Sequence, residues 1–246
     1  MGIIVLENII KRYKNSVIGP INLVLEKNKT YCLIGNNGSG KTTLINIIAN
    51  LTEYNKGNVI IKGQVISPEA HRYKKDFGFV LAEPYYIENF SVFDYLKFVC
   101  EFQGVHKVKI DSRILETTTL LGLQKELKSP IRQLSSGKQM GVSIAACLIH
   151  NPEIIVFDEP FVNLDIKTTQ NITNIINRLR GQKTILITSH NLDLVLELYD
   201  SILIMDSGKI LLKIEKNEYS SEVRLKQYIR NMLESNDLIT DFEWLQ

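Results

Sequence analysis

A short apolar run, Tyr31-Cys32-Leu33-Ile34, leads straight into Gly35-Asn36-Asn37-Gly38-Ser39-Gly40-Lys41-Thr42-Thr43, which fits the phosphate-loop pattern G-x-x-x-x-G-K-[ST]. The pattern asks for a strand, a tight loop and a helix in that order, and so confines the chain to α/β folds. Its glycines let the backbone bend closely around an anion, so that successive N–H groups and the positive end of the following helix point at phosphates. In such a loop Lys41 reaches the β- and γ-phosphates and Thr42 binds Mg²⁺. The motif predicts a nucleoside triphosphate site.

The rest of the composition suits one large α/β domain: 246 residues, 44% of them hydrophobic and 23% charged, are enough to bury a substantial core. Twenty-nine basic residues against 27 acidic ones leave no excess of the kind that nucleic-acid binding requires, and no Lys/Arg block argues otherwise. Cys32, Cys100 and Cys147 lie far apart in apolar contexts without C-x-x-C spacing, which predicts core packing in a reducing compartment. The apolar run in Met1 to Glu7 is too short for an export signal, and Leu6 occupies the place where a myristoylation site needs Ser or Thr. No stretch approaches the length of uncharged apolar chain that spans a bilayer, so a membrane role calls for a separate spanning partner.

Ile3 to Ile10 and Ile21 to Leu25 read as β-segments, and Gly57-Asn58 with Lys62-Gly63 punctuates another pair around Val59 to Ile61, together predicting an antiparallel sheet. Ile154 to Phe157 and Ile185 to Ile187 are wholly apolar, as strands buried on both faces of a parallel sheet are. Between about residues 90 and 130, Phe90, Phe93, Leu96, Phe98, Val99 and Phe102, then Ile114, Leu115, Leu120, Leu121 and Leu123, predict a helical insertion whose aromatics are mostly ordinary core. Ser201 to Ile214 reads as a hairpin around Ser207-Gly208, and Glu218 to Gln246 as a polar, helical tail without recognisable chemistry.

The strand Ile154 to Phe157 ends in Asp158-Glu159, at the sheet's carboxyl edge where ligands bind in open α/β sheets. Asp158 there is compensated by Mg²⁺ bound to the nucleotide, while Glu159 points to the other side and accepts a proton from attacking water. Between the two elements, Leu134-Ser135-Ser136-Gly137-Lys138-Gln139 opens an apolar helix pattern, and a serine with free amides at a helix start makes a second anion site.

Taken in order, these elements resemble the ATP-binding-cassette ATPase family, with its phosphate loop, Leu-Ser-Gly-Gly-Gln signature, acidic strand, Leu-Asp loop and switch histidine. Ser135 lies 94 positions after Lys41, Asp158 follows 23 later, Asn163-Leu164-Asp165 matches the Leu-Asp loop, and Thr188-Ser189-His190 follows the strand Ile185 to Ile187. The resemblance runs from about Val5 to Ile214 and implies an α/β phosphate-loop NTPase with a mixed, largely parallel core sheet, an antiparallel β-subdomain and a helical insertion. The expected division is a cassette over residues 1–215, with the insertion at about 84–150, and a helical tail over 216–246.

The same resemblance implies that Tyr13 stacks on adenine, that residues 35–43 hold phosphate and Mg²⁺, that Asp165 belongs to the nucleotide site, that Glu159 polarises water and that His190 contacts the γ-phosphate. Ser135 and Gly137 would serve the nucleotide held by a second ATPase subunit, so that two cassettes sandwich two ATPs. Two departures stand out. Ala82 occupies the place of a glutamine that contacts Mg²⁺ in the family, leaving Glu83 as a substitute or that contact absent; Ser136 and Lys138 alter the signature, Lys138 adding a donor near phosphate.

The expected function is that of a cytosolic ATPase subunit, peripheral to the inner face of the membrane through a polytopic partner, whose helix docks in a groove formed by Pro84 to Phe102. Phe90 to Leu96 is similar to the same region of bacterial exporters of antibiotic peptides and drugs. The alternatives are a soluble cassette ATPase, of which the iron–sulfur assembly type fits best, and an inactive structural subunit, which the presence of Lys41, Asp158, Glu159 and His190 disfavours.

Overall fold

The computed structural model describes residues 2–67, 72–82, 86–219 and 221–234. β1 (Gly2–Arg12) and β2 (Val17–Glu26) form an antiparallel ribbon in which Val5 faces Val24 and Leu6 faces Leu23. Their connection is short, closed by the Tyr13 N–H donating to the Ser16 carbonyl at 2.8 Å. β3 (Thr30–Ile34) is buried throughout and delivers the chain to α1 (Lys41–Ile48). β4 (Lys56–Ile61) and β5 (Gln64–Val65) return to the ribbon, giving an antiparallel sheet in the order β2-β1-β4-β5. This is the antiparallel sheet expected from the sequence, with β1 and β2 longer than their apolar residues indicate.

β6 (Phe77–Val80) precedes three helices, α2 (Val92–Phe102), α3 (Ile110–Leu120) and α4 (Ser136–Leu148). β7 (Ile154–Asp158), α5 (Ile166–Leu179), β8 (Thr184–Thr188) and α6 (Leu192–Leu198) then alternate, before β9 (Ser201–Asp206), β10 (Lys209–Glu215) and α7 (Glu222–Glu234). The second sheet has the order β10-β9-β3-β8-β7-β6, parallel except for the β9–β10 hairpin. Ser207 and Gly208 both take positive φ, 45° and 79°, as a two-residue hairpin turn demands.

Period-two alternation divides the parallel sheet between two cores. Leu33, Val156 and Leu186 join Leu6, Leu23, Leu44, Ile45 and Val59 in the space between the sheets and α1, whereas Cys32, Ile34, Ile155, Phe157 and Ile187 face Ile144, Ile172, Ile176 and Val195. α7 belongs to the latter core through Leu225 and Ile229. Residues 235–246 of the expected helical tail lie outside the described residues.

A third cluster holds α2 and α3 against one face of α4, through Val92, Leu96, Cys100, Ile110, Ile114, Val142 and Ala145. Phe93 and Val99 are half-buried beside it, but Phe90, Phe98 and Phe102 are exposed, against the expectation of ordinary core. All three cysteines are free and buried; burial pushes the thiols up, Cys32 to about 12 and Cys100 to about 11.

Glu153 joins the two sheets at the start of β7. Its carboxylate pairs with Lys27 at 2.5 Å and Lys62 at 2.7 Å, both on connections of the antiparallel sheet, while its carbonyl accepts from the Thr184 N–H at 3.1 Å. Among the described residues no helix is long and apolar enough to cross a membrane.

Candidate functional site

The phosphate loop is shaped by close backbone contacts. A Cβ on Gly35 would lie 2.0 Å from the Met205 carbonyl oxygen, and one on Gly40, at φ 105°, would lie 2.6 Å from Ile18 Cδ1 and 2.8 Å from Met205 Cε. Glycine is therefore required where the loop passes over β9. The Gly208 N–H donates to the Ser39 carbonyl at 2.9 Å, fastening the loop to the β9–β10 turn.

Lys41 opens α1 with its ammonium folded back over the loop, donating to the Gly35 carbonyl at 2.7 Å and the Asn36 carbonyl at 3.1 Å. Only 9% of the residue is exposed. Burial lowers its pKa, and the nearby Glu159 and Asp158 charges oppose that shift. Ser39 Oγ is buried without a hydrogen-bond partner, an orphaned polar group inside a loop suited to an anion.

The acidic pair ends β7 in register with the end of β8, where Asp158 faces Thr188. Asp158, 3% exposed, accepts from Thr188 Oγ1 at 2.6 Å. The chain then turns sharply, Glu159 taking φ 48°, and its N–H donates to the same Thr188 oxygen at 2.8 Å. Glu159 Oε2 lies 3.0 Å from His190 Nδ1. His190 is held in the turn between β8 and α6: the Asn191 N–H donates to Ser189 Oγ at 3.1 Å, and Asn191 Oδ1 caps α6 by accepting from Asp193 N–H at 3.0 Å.

Three clefts share Glu159; the one of about 500 Å³ runs along Phe161, Asn163, Leu164, Ser189 and His190, and the other two border the phosphate loop. One, of about 280 Å³, is lined by Tyr13, Ser16, Asn37, Gly38, Gly40, Lys41, Thr42 and Thr43. The other, of about 450 Å³, brings Gly35, Asn36, Asn37, Ala82, Val162, His190 and Leu233 together. Tyr13 is 46% exposed, with its hydroxyl 3.4 Å from Thr43 Oγ1 and Lys11 Nζ 5.3 Å from its ring centre. An open aromatic face beside the loop can carry a base. Ala82 lies in the cleft with Glu159 and His190 but offers no ligand atom; Glu83 lies outside the described residues.

The donors fit Mg²⁺ brought in by a nucleotide: a hydroxyl on Thr42 and a buried carboxylate on Asp158 are hard oxygen ligands. Among the described residues no cluster of His, Cys, Asp and Glu stands ready to hold a metal without a nucleotide.

Ser135 and Gly137 line none of the three clefts. Ser135 caps α4 through its backbone only, leaving its exposed side chain without a cap bond. A Cβ on Gly137 would meet Thr168 Oγ1 at 3.2 Å and Asp165 Oδ2 at 3.7 Å, so the signature abuts the Leu-Asp loop. Asp165 caps α5, accepting from the Thr168 N–H at 2.9 Å and hydroxyl at 2.7 Å, bonds that hold its carboxyl below the usual range. Lys138 does not serve as a free donor near phosphate: its ammonium is paired with Glu126.

The sequence signals no role for Thr188 beyond a hydroxyl directly after the apolar run Ile185 to Ile187, in a strand that also begins with a threonine. It also gives α7 no chemistry, whereas the Leu233 carbonyl accepts from Asn36 Nδ2 at 3.0 Å and the Lys226 ammonium pairs with Asp193 beside the histidine.

The family model described as ABC transporter matches residues 18–162. The chain is 32% identical over 230 residues to the lantibiotic transport ATP-binding protein SrtF of Streptococcus pyogenes, covering 93% of this chain and 96% of that one. It is 31% identical to the linearmycin resistance ATP-binding protein LnrL of Bacillus subtilis (strain 168), over 83% of this chain and 67% of that one. Its fold is similar to the dimeric structure of MJ0796, a bacterial ABC transporter cassette, with a TM-score of 0.80 at 24% identity, covering 88% of this chain and 100% of that one.

Proposed function

The chain belongs to the ABC transporter family and is an ATPase of it, and on that premise we propose that it is the ATP-hydrolysing subunit of an exporter, acting as one of two cassettes that close on two MgATP and drive a separate membrane-spanning subunit. The observation that carries this reading is the position of Glu159 where the three clefts meet, its carboxylate on His190 and its backbone fixed by Thr188.

Phosphoryl transfer needs positioning and charge stabilisation more than covalent chemistry. Lys41 exchanges its loop carbonyls for phosphate oxygens, and the loop's N–H groups and the start of α1 surround them. Thr42 and Asp158 would hold Mg²⁺, which would supply neutralisation of phosphate charge. Glu159 takes the proton of the attacking water, and His190 orients that carboxylate and reaches the γ-phosphate. Tyr13 supports the adenine and Asp165 steadies the loop beside Gly137.

The separation of Ser135 and Gly137 from all three clefts favours their use on the nucleotide of a second cassette. The names of the two curated relatives favour an antibiotic peptide or drug as cargo. Exposed Phe98 and Phe102, stacked with ring centres 6.3 Å apart, suit docking of a cytoplasmic helix of the membrane partner, which would place the chain at the inner face of the membrane.

Co-expression with a polytopic membrane protein encoded beside it, followed by affinity capture and ATPase assay, tests the proposal. The expected result is a stable complex with faster hydrolysis than the isolated chain. Full-rate hydrolysis by the isolated chain with no membrane subunit captured would overturn it in favour of a soluble ATPase.

A further inference from the structure

Thr188 would touch no reacting atom, yet its hydroxyl touches both members of the acidic pair. We infer that Thr188 is a positioning residue for hydrolysis: one relay through its oxygen fixes the Asp158 carboxylate and the Glu159 backbone relative to each other. The inference rests on the roles proposed above for Asp158 and Glu159.

The polarity of the relay is determined by chemistry. The Glu159 N–H is only a donor, so at 2.8 Å it occupies a lone pair of Thr188 Oγ1. The hydroxyl proton is thereby left for Asp158 Oδ1, at 2.6 Å, a length typical of a hydroxyl donating to an ionised carboxylate. One oxygen of Asp158 is thus committed to the protein, which orients the other for a cation.

The second half of the relay acts on the backbone. Glu159 takes φ 48°, in the left-handed region that a residue bearing a side chain enters only when its surroundings hold it there. The ladder between β7 and β8 ends at the Asp158–Thr188 pair, so the next amide has passed beyond it. Thr188 captures that amide and keeps the turn that carries Glu159 to His190. Thr188 is fully buried and Asp158 3% exposed, so bulk water does not replace the hydroxyl.

Thr188→Val keeps the β-branched shape and removes the relay; Thr188→Ser restores the hydroxyl. Both are made in the full chain, assayed with its membrane subunit where hydrolysis requires it. Two quantities are read: kcat and KM for MgATP, and the affinity for a fluorescent ATP analogue with and without Mg²⁺. With a buried donor and a carboxylate oxygen unpaired, Thr188→Val is expected to lower kcat roughly tenfold to a hundredfold while KM stays within about threefold. The gain in analogue affinity on adding Mg²⁺ shrinks, metal-free binding is unchanged, and Thr188→Ser recovers both properties.

Wild-type kcat and an undiminished Mg²⁺ gain in Thr188→Val would overturn the inference. So would failure of serine to recover what valine lost, since the position would then matter for packing alone. Glu159→Gln, assayed in parallel, separates the two levels: if it hydrolyses normally the assignment of the base is wrong, whereas an inactive Glu159→Gln beside a fully active Thr188→Val removes only the relay.

Discussion

Glu159→Gln isolates proton acceptance from everything else Glu159 does. Glutamine has the same length and volume, and its backbone enters the left-handed region at φ 48° much as that of glutamate does. The N–H bond to Thr188 is a backbone bond and survives. The contact with His190 Nδ1 survives too, because an amide oxygen accepts from a ring N–H. What disappears is the base, a contribution of about 10²–10⁴ in rate, or roughly 3–5 kcal/mol of barrier.

Binding moves the other way, if at all. Removing a negative charge beside a polyphosphate relieves repulsion, about 2 kcal/mol for each net charge of the nucleotide at a separation of roughly 7 Å and an effective dielectric near 20, before screening. ATP affinity is therefore unchanged or tighter. Phosphate release at saturating MgATP gives the turnover, and equilibrium titration with a fluorescent analogue gives the affinity. Release within about fivefold of wild type would refute Glu159 as the base. A tenfold loss of affinity would refute the separation of binding from proton transfer.

Three further outcomes follow from the geometry. Lys27 and Lys62 hold the Glu153 carboxyl below its ordinary value of 4.5, so its stabilisation is complete above 4.5 and is lost as the pH falls through the lower folded value. Glu153→Gln should therefore lower the melting temperature by about 2 °C at pH 7, as partly exposed pairs allow, with the gap to wild type closing in acid, measured by circular dichroism melts. Gly35→Ala sets a Cβ against the Met205 carbonyl, a backbone clash that no rotamer relieves, and is expected to cost about 2–4 kcal/mol of stability and abolish analogue binding, read by denaturant melts and titration. Asn36→Ala releases the Leu233 carbonyl, and hydrogen–deuterium exchange should show faster exchange in the last turn of α7 with the exchange of β3 unchanged.

Much of this molecule is legible in one dimension. The phosphate loop, the acidic strand end and the turn carrying His190 are each local in sequence, and the wholly apolar runs of β7 and β8 announce a sheet covered on both sides. What escapes are relations set by register and by distant docking. The hydroxyl of Thr188 matters because the parallel ladder places it opposite Asp158, thirty positions away, and nothing in the strand's pattern states which residue it faces. Periodicity identifies Phe98 and Phe102 as neighbours on one helical face but not whether that face is covered. Lys138 looks like a free donor until the fold brings Glu126 to it, and α7, polar by composition, returns to a loop 197 positions earlier.

The order of strands in the parallel sheet also bears on how the protein is made. β3 and the loop after it are synthesised early, but the partners that flank β3 are β8 and β9, with Thr30 facing Ile185 and Tyr31 facing Ser201. Until those strands exist, the central strand has no neighbours, the Met205 carbonyl that moulds Gly35 is missing, and so is the Gly208 N–H that anchors Ser39. Contacts so distant in sequence form late and slowly. A nascent chain thus displays its entire phosphate-loop motif before the contacts from β8, β9 and the β9–β10 turn that shape and fasten the loop exist.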